Sequence, residues 1–170
     1  ARSLSSAKDV SGEAESRSTP IRSARPFAER STIDRFLLRA SFATLRVLYQ
    51  TYFQLRLFNP EHLPRSGAYL IAANHSSHLD AAAIIASLGV ALGVREAGKL
   101  HVLGARDYFF NRAVKGWALS ALLNLVPVER EETSLAGLRM VKSILAEGEP
   151  VLIFPEGTRS RTGRIQDFKP

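Results

Sequence analysis

The sequence predicts an α/β fold, a mainly parallel or mixed sheet flanked by helices and preceded by an amphipathic helix. Three observations predict it. From residue 67 onward, short apolar runs of strand length alternate with longer helical segments, which is the pattern of repeated βα units. Two strings rich in reactive side chains, NHSSHLD at 74–80 and FPEGTRS at 154–160, each follow directly on such a run. Sites in open α/β sheets gather beyond the carboxyl ends of strands, so that placement fits one shared site. Residues 34–58 read as a single amphipathic helix ahead of the alternating part.

Residues 1–33 are rich in Ser and Arg and poor in large apolar side chains, too few to offset the entropy of ordering, and read as a disordered linker or tail. Asp9, Glu13, Glu15 and Glu29 argue against a transit peptide, which would be poor in acids. Along 34–58, a step of about 100° per residue groups Arg35, Arg39 and Arg46 within about 40° of one another, with Arg56 about 60° to the other side of Arg35. Leu37, Leu45, Leu48, Tyr52 and Leu55 gather opposite. A basic stripe against an aromatic-rich apolar face suits the boundary between headgroups and acyl chains, with Arg stems snorkelling. Packing against the chain's own domain is the competing explanation.

The alternating part begins with an apolar run at 68–73, ending at Asn74-His75. An Ala-, Ile- and Leu-rich helix is expected over 80–92, a strand over 100–103, a helix over 107–122 and a strand over 125–128. Thr133 opens a helix whose apolar positions are Leu135, Leu138, Val141 and Leu145 and which Gly148 ends. Val151–Phe154 is the last strand.

At 170 residues one domain is expected, with a core in the alternating part. The net charge of +7 favours phosphate-bearing partners, here an anionic membrane surface or a phosphorylated substrate. Nucleic-acid binding would rest on charge alone, and no nucleic-acid partner is expected. The absence of Cys excludes disulfides and thiolate metal sites. No apolar stretch reaches the roughly 18–20 residues of a spanning helix, and no signal peptide is visible. The chain opens on Ala and closes on Phe-Lys-Pro, as a fragment would.

The first string supplies a base and a carboxylate. A neutral imidazole takes a proton near pH 7, and a carboxylate on its other nitrogen fixes the tautomer and stabilises the imidazolium that forms. His75 and Asp80 suit those roles if the chain turns from strand to helix between them; Asp80 as a plain helix cap is the competing reading. Ser77 is assigned to capping. The second string supplies Glu156, backbone N–H groups around Gly157, the Thr158 hydroxyl and the Arg159 guanidinium, the parts of an oxyanion or phosphate cradle. Arg grips a phosphate through two hydrogen bonds, which Lys does not match.

These strings resemble the motifs of the glycerophospholipid acyltransferases, which include the 1-acylglycerol-3-phosphate acyltransferases. Asn74, His75, Ser77 and Asp80 match the family's Asn-His-x-Ser-x-x-Asp, and 154–160 match its Phe-Pro-Glu-Gly-Thr-Arg-Ser throughout. A third motif, Gly-x-x-Phe-Ile-x-Arg, matches in part: Asn124 stands for the Gly and Pro127 for the Phe, while Val128 and Arg130 fit. A fourth, Pro-containing motif would lie beyond Pro170, which makes 60–170 a C-terminally incomplete acyltransferase domain. The resemblance implies His75 and Asp80 as the catalytic pair, and Glu156, Gly157, Thr158, Arg159 and Arg130 as residues for the glycerol phosphate.

The expected reaction moves a fatty acyl group from acyl-CoA or acyl-carrier protein to the hydroxyl of lysophosphatidate or a related glycerophosphate, in phospholipid biosynthesis. The thioester is already activated, so no cofactor, metal or covalent enzyme intermediate is required. The expected location is the cytoplasmic face of a membrane. Two other readings stand beside this one. One is a metal-dependent hydrolase using His75, His78 and Asp80, with His101 as a fourth ligand. The other is a non-catalytic, membrane-associated fragment.

Overall fold

The computed structural model describes residues 29–105, 123–128 and 135–168. The tail expected over 1–33 lies outside them up to residue 28, as do the helix expected over 107–122, the helix start at Thr133, and Arg130. Among the described residues, strands β1 (Leu70–Ala72), β2 (His101–Ala105), β3 (Leu125–Val128) and β4 (Val151–Ile153) form one sheet in the order β1-β4-β2-β3. Every pairing is parallel. The helices are α1 (Thr32–Thr51), α2 (Asp80–Ala91), the short α3 (Val94–Ala97) and α4 (Leu135–Ala146).

Helix α1 starts earlier and ends sooner than the 34–58 segment read from periodicity. Ser31 caps it, its Oγ accepting the Asp34 N–H at 3.1 Å, and Asp34 places an acid in the positive first turn. The helix stops at Thr51 because the next residues close tight turns: Leu55 N–H donates to the Tyr49 carbonyl at 2.8 Å, and Gln54 takes a positive φ of 51°. Leu55 and Arg56 therefore lie beyond it.

Leu38, Phe42 and Tyr49 form the buried face of α1, and Leu38 and Phe42 join Ile85 and Leu88 of α2 in one core cluster. On the sheet that cluster meets Val102, Leu125 and Leu152, which share one register row and so point to the same side. The alternate residues Val126 and Val151 face the other way and pack with Ile144 of α4. Helices thus cover both faces of the sheet, which is why its strands read as continuous apolar runs.

The amino ends of the strands carry a buried polar cluster. His101 Nε2 lies 2.5 Å from Glu149 Oε2. The Arg30 guanidinium donates to Asn124 Oδ1, and Asn124 Nδ2 donates to the Leu100 carbonyl at 2.6 Å. Burial lowers the pKa of Arg30 against the opposing charges of Glu149 and Asp34. These contacts tie the residue just ahead of α1 to the sheet. Asn124 also has a positive φ of 54°. Gly adopts that conformation most freely and Asn is among the residues next best suited to it, so Asn124 fits this backbone while its side chain makes two hydrogen bonds.

Candidate active site

Strands β1 and β4 are neighbours, with Ala72 opposite Ile153. The ladder continues one step further, Ala73 N–H donating to the Ile153 carbonyl at 3.1 Å. The two strings therefore leave the sheet side by side at its carboxyl edge. Residues 74–79 turn from β1 into α2, while 154–160 curl back over them. Gly157 takes a positive φ of 63°, and its N–H closes the turn on the Phe154 carbonyl at 2.9 Å.

Within this corner His75 Nδ1 lies 2.9 Å from Asp80 Oδ2. The same carboxylate oxygen accepts the Ser76 N–H at 2.7 Å and the Ser77 N–H at 2.8 Å. Asp80 begins α2, but its carboxylate reaches back to the loop and does not cap the helix. Ser77 Oγ accepts the Leu79 N–H at 3.1 Å, so this hydroxyl is spent on the turn into α2. Burial pulls the Asp80 pKa upward, but the hydrogen bonds from Ser77, His75 and Ser76, with the charge of His75, outweigh it and leave the pKa below the ordinary value. Asp80 is therefore an anion at neutral pH. Because Nδ1 serves Asp80, Nε2 of His75 is the nitrogen left to exchange a proton with a bound molecule.

The second string surrounds His75. The Phe154 ring stacks on the imidazole at a centroid distance of 4.1 Å. Glu156 Oε1 accepts the His75 N–H at 3.0 Å. Ser160 N–H donates to the His75 carbonyl at 2.7 Å. Gly157 and Thr158 are exposed at the mouth of this corner, and Arg159 is half-buried. From the α1 side, Tyr49 donates its hydroxyl to the Leu79 carbonyl at 3.0 Å. Burial, then the charge of Asp80, pushes the Tyr49 phenol up and keeps it a donor.

The structure thus brings His75 and Asp80 together with Glu156, Gly157, Thr158 and Arg159. Arg130 lies outside the described residues, two positions after the carboxyl end of β3. Glu156 is 1% exposed and turned toward the His75 backbone, away from solvent, which differs from the acceptor contact expected of it. His78 is exposed, and His101 stands at the opposite end of the sheet, bonded to Glu149, so the fourth ligand of the hydrolase reading is not at this corner. Among the described residues no group of three or more His, Cys, Asp or Glu is arranged to hold a metal. Phe154, Ser160 and Tyr49 are contacts that sequence reasoning did not assign. The first two stand in a matched motif that could have flagged them; Tyr49 carried no signal, since at about 100° per residue it falls between Arg35 and Arg56.

A family model described as Acyltransferase matches residues 54–170, well over half of the chain. The chain belongs to the acyltransferase family. Its similarity extends to a probable 1-acyl-sn-glycerol-3-phosphate acyltransferase of Mycoplasma pneumoniae, 29% identical over 124 residues, covering 72% of this chain and 44% of the relative. The 1-acyl-sn-glycerol-3-phosphate acyltransferase of Bacillus subtilis is 30% identical over 118 residues, covering 68% of this chain and 54% of the relative. A chloroplastic 1-acyl-sn-glycerol-3-phosphate acyltransferase of Arabidopsis thaliana is 28% identical over 121 residues, covering 69% and 31%. This acyltransferase-family chain is matched over about half or less of the length of each of these curated relatives. No solved structure matches it significantly.

Proposed function

We propose that this chain carries the reaction centre of an O-acyltransferase that moves a fatty acyl group from a thioester, acyl-CoA or acyl-carrier protein, to the free hydroxyl of lysophosphatidate or a related glycerophosphate. The observation that carries the reading is the His75–Asp80 pair at 2.9 Å, set against the Gly157 turn and Arg159. His75 Nε2 takes the hydroxyl proton as the oxygen attacks the thioester carbonyl. Asp80 stabilises the imidazolium, which then returns the proton to the departing thiolate. The backbone around Gly157, the Thr158 hydroxyl, Arg159 and, from its place after β3, Arg130 serve the acceptor phosphate. The thioester supplies the activation, so the reaction needs no resident metal or cofactor.

The same reading places the protein on the cytoplasmic face of an anionic membrane. Among the described residues no helix is long and apolar enough to cross a bilayer. Helix α1 nevertheless leaves Ile33, Phe36, Leu37, Val47 and Leu48 exposed along its outer side, with Phe36 at 69% and Val47 at 58%. At 100° per residue these side chains span about 120° of the helix, beside the arc that holds Arg35, Arg39 and Arg46. A lipid interface accommodates such a surface, and both the acceptor and its product reside there.

The test is acyl transfer from labelled acyl-CoA and from acyl-carrier protein to lysophosphatidate and to glycerol 3-phosphate. Transfer that is lost in His75→Ala supports the reading. Thioester-independent hydrolysis that requires a metal would replace it with the hydrolase reading.

A further inference from the structure

We infer that Glu156 is a positioning residue for His75 and not a ligand of the acyl acceptor; the inference rests on the acyl-transfer reading above. Three contacts from one string fix the histidine. Phe154 covers one face of its ring at 4.1 Å, Glu156 Oε1 accepts its N–H at 3.0 Å, and Ser160 N–H donates to its carbonyl at 2.7 Å. Both peptide groups flanking the His75 Cα are thereby held, while Asp80 holds the ring through Nδ1. Glu156 supplies a side-chain carboxylate to the peptide N–H ahead of the His75 Cα, as Asp80 does to the Ser76 N–H behind it, and a bond from an N–H to a carboxylate is stronger than one to a neutral acceptor.

Burial rules in the same direction. Glu156 is 1% exposed, and Oε2 is buried with no hydrogen-bond partner among the described residues. The unpaired oxygen carries a desolvation cost, which the bond from the His75 N–H to Oε1 offsets in part. In this arrangement the carboxylate faces protein backbone and an acceptor phosphate meets Gly157, Thr158 and Arg159, which are more exposed. A carboxylate would also repel a phosphate. Its place in the string is explained by the Gly157 turn: with φ at 63° the chain reverses after Glu156, so the glutamate points inward while the following residues point outward.

The experiment compares Glu156→Gln and Glu156→Ala with the parent protein, varying the acceptor at saturating acyl-CoA, and records the imidazole nitrogen signals of His75 by NMR. Glutamine retains an oxygen that accepts the His75 N–H, so Glu156→Gln is expected to keep kcat within about tenfold and the acceptor KM within about threefold. Glu156→Ala is expected to lower kcat by about 100-fold or more with little change in KM, and to shift or broaden the His75 ring signals. A Glu156→Ala variant with kcat retained and KM raised tenfold or more would overturn the inference. If Glu156→Ala does not fold, Glu156→Gln decides: a raised acceptor KM makes Glu156 a ligand, and a parent-like KM with parent-like ring signals supports positioning. The NMR signals are read without turnover. A parent protein inactive on every acceptor would therefore sink the acyl-transfer reading, while unchanged His75 signals in a folded Glu156→Ala would sink the positioning role.

Discussion

Ala72 of β1 stands opposite Ile153 of β4, and that one pairing joins two parts of the chain about eighty positions apart into one corner. Each strand runs out at the same edge, one into His75 and the other into Glu156 and Gly157. The parallel direction matters as much as the adjacency. An antiparallel pairing would send the two strings to opposite ends of the sheet.

The anionic state of Asp80 gives a pH dependence. Its folded pKa is lowered, so the folded state binds the proton less tightly than the unfolded one, whose carboxyl titrates at about 3.9. The stabilisation is present above that unfolded pKa and is lost as pH falls through the lower folded pKa. Urea unfolding between pH 2 and pH 7 should show an acid-side loss of stability that is shallower in Asp80→Asn. Parallel pH profiles for the two proteins would contradict this.

Tyr49 links α1 to the reacting loop through the Leu79 carbonyl at 3.0 Å. Tyr49→Phe removes only the hydroxyl and should cost about 1 kcal/mol of stability. It should also lower turnover several-fold, because Leu79 directly precedes Asp80. Wild-type turnover in a destabilised Tyr49→Phe would make the bond purely structural.

Much of the architecture was legible beforehand. The four apolar runs that became strands were marked by length and by their flanking turns, and the two strings were placed at strand ends. Periodicity misplaced the faces of α1. It grouped Leu37, Leu45, Leu48, Tyr52 and Leu55 as one apolar side, whereas Leu45 packs against the core, Leu37, Leu48 and Tyr52 are exposed, and Leu55 lies beyond the helix. The helix has two apolar arcs, and a hydrophobic pattern records where apolar side chains point but not which arc finds a partner. The inward turn of Glu156 was also invisible, because it depends on the φ of Gly157 and on a neighbour 81 positions away. The His101–Glu149 and Arg30–Asn124 contacts, 48 and 94 positions apart, depend likewise on strand order.

The two arcs of α1 predict opposite mutational outcomes. Phe42 is fully buried, and Phe42→Ala should destabilise the fold by about 3–5 kcal/mol. Phe36→Ser with Val47→Ser should leave stability within about 0.5 kcal/mol. The double variant should lose about tenfold or more in binding to anionic vesicles, since each apolar side chain contributes on the order of 1.5–3 kcal/mol when buried. Undiminished vesicle binding, or none by the parent protein, would remove this arc as a membrane contact.

Arg159 follows the Gly157 turn at the mouth of the corner. If it grips the acceptor phosphate with two hydrogen bonds, Arg159→Lys should raise the acceptor KM about tenfold and change kcat little. An unchanged acceptor dependence would remove Arg159 from the phosphate site.

The central claim is that His75, held by Asp80 at 2.9 Å, is the base that activates the acceptor hydroxyl. Its most direct measurement is the steady-state transfer of labelled acyl-CoA to lysophosphatidate by the parent protein and by a folded His75→Ala variant. A general base contributes roughly 10²–10⁴-fold, so the account predicts a fall in kcat of at least about 100-fold with near-parent unfolding behaviour. Turnover by His75→Ala within a few-fold of the parent would contradict it.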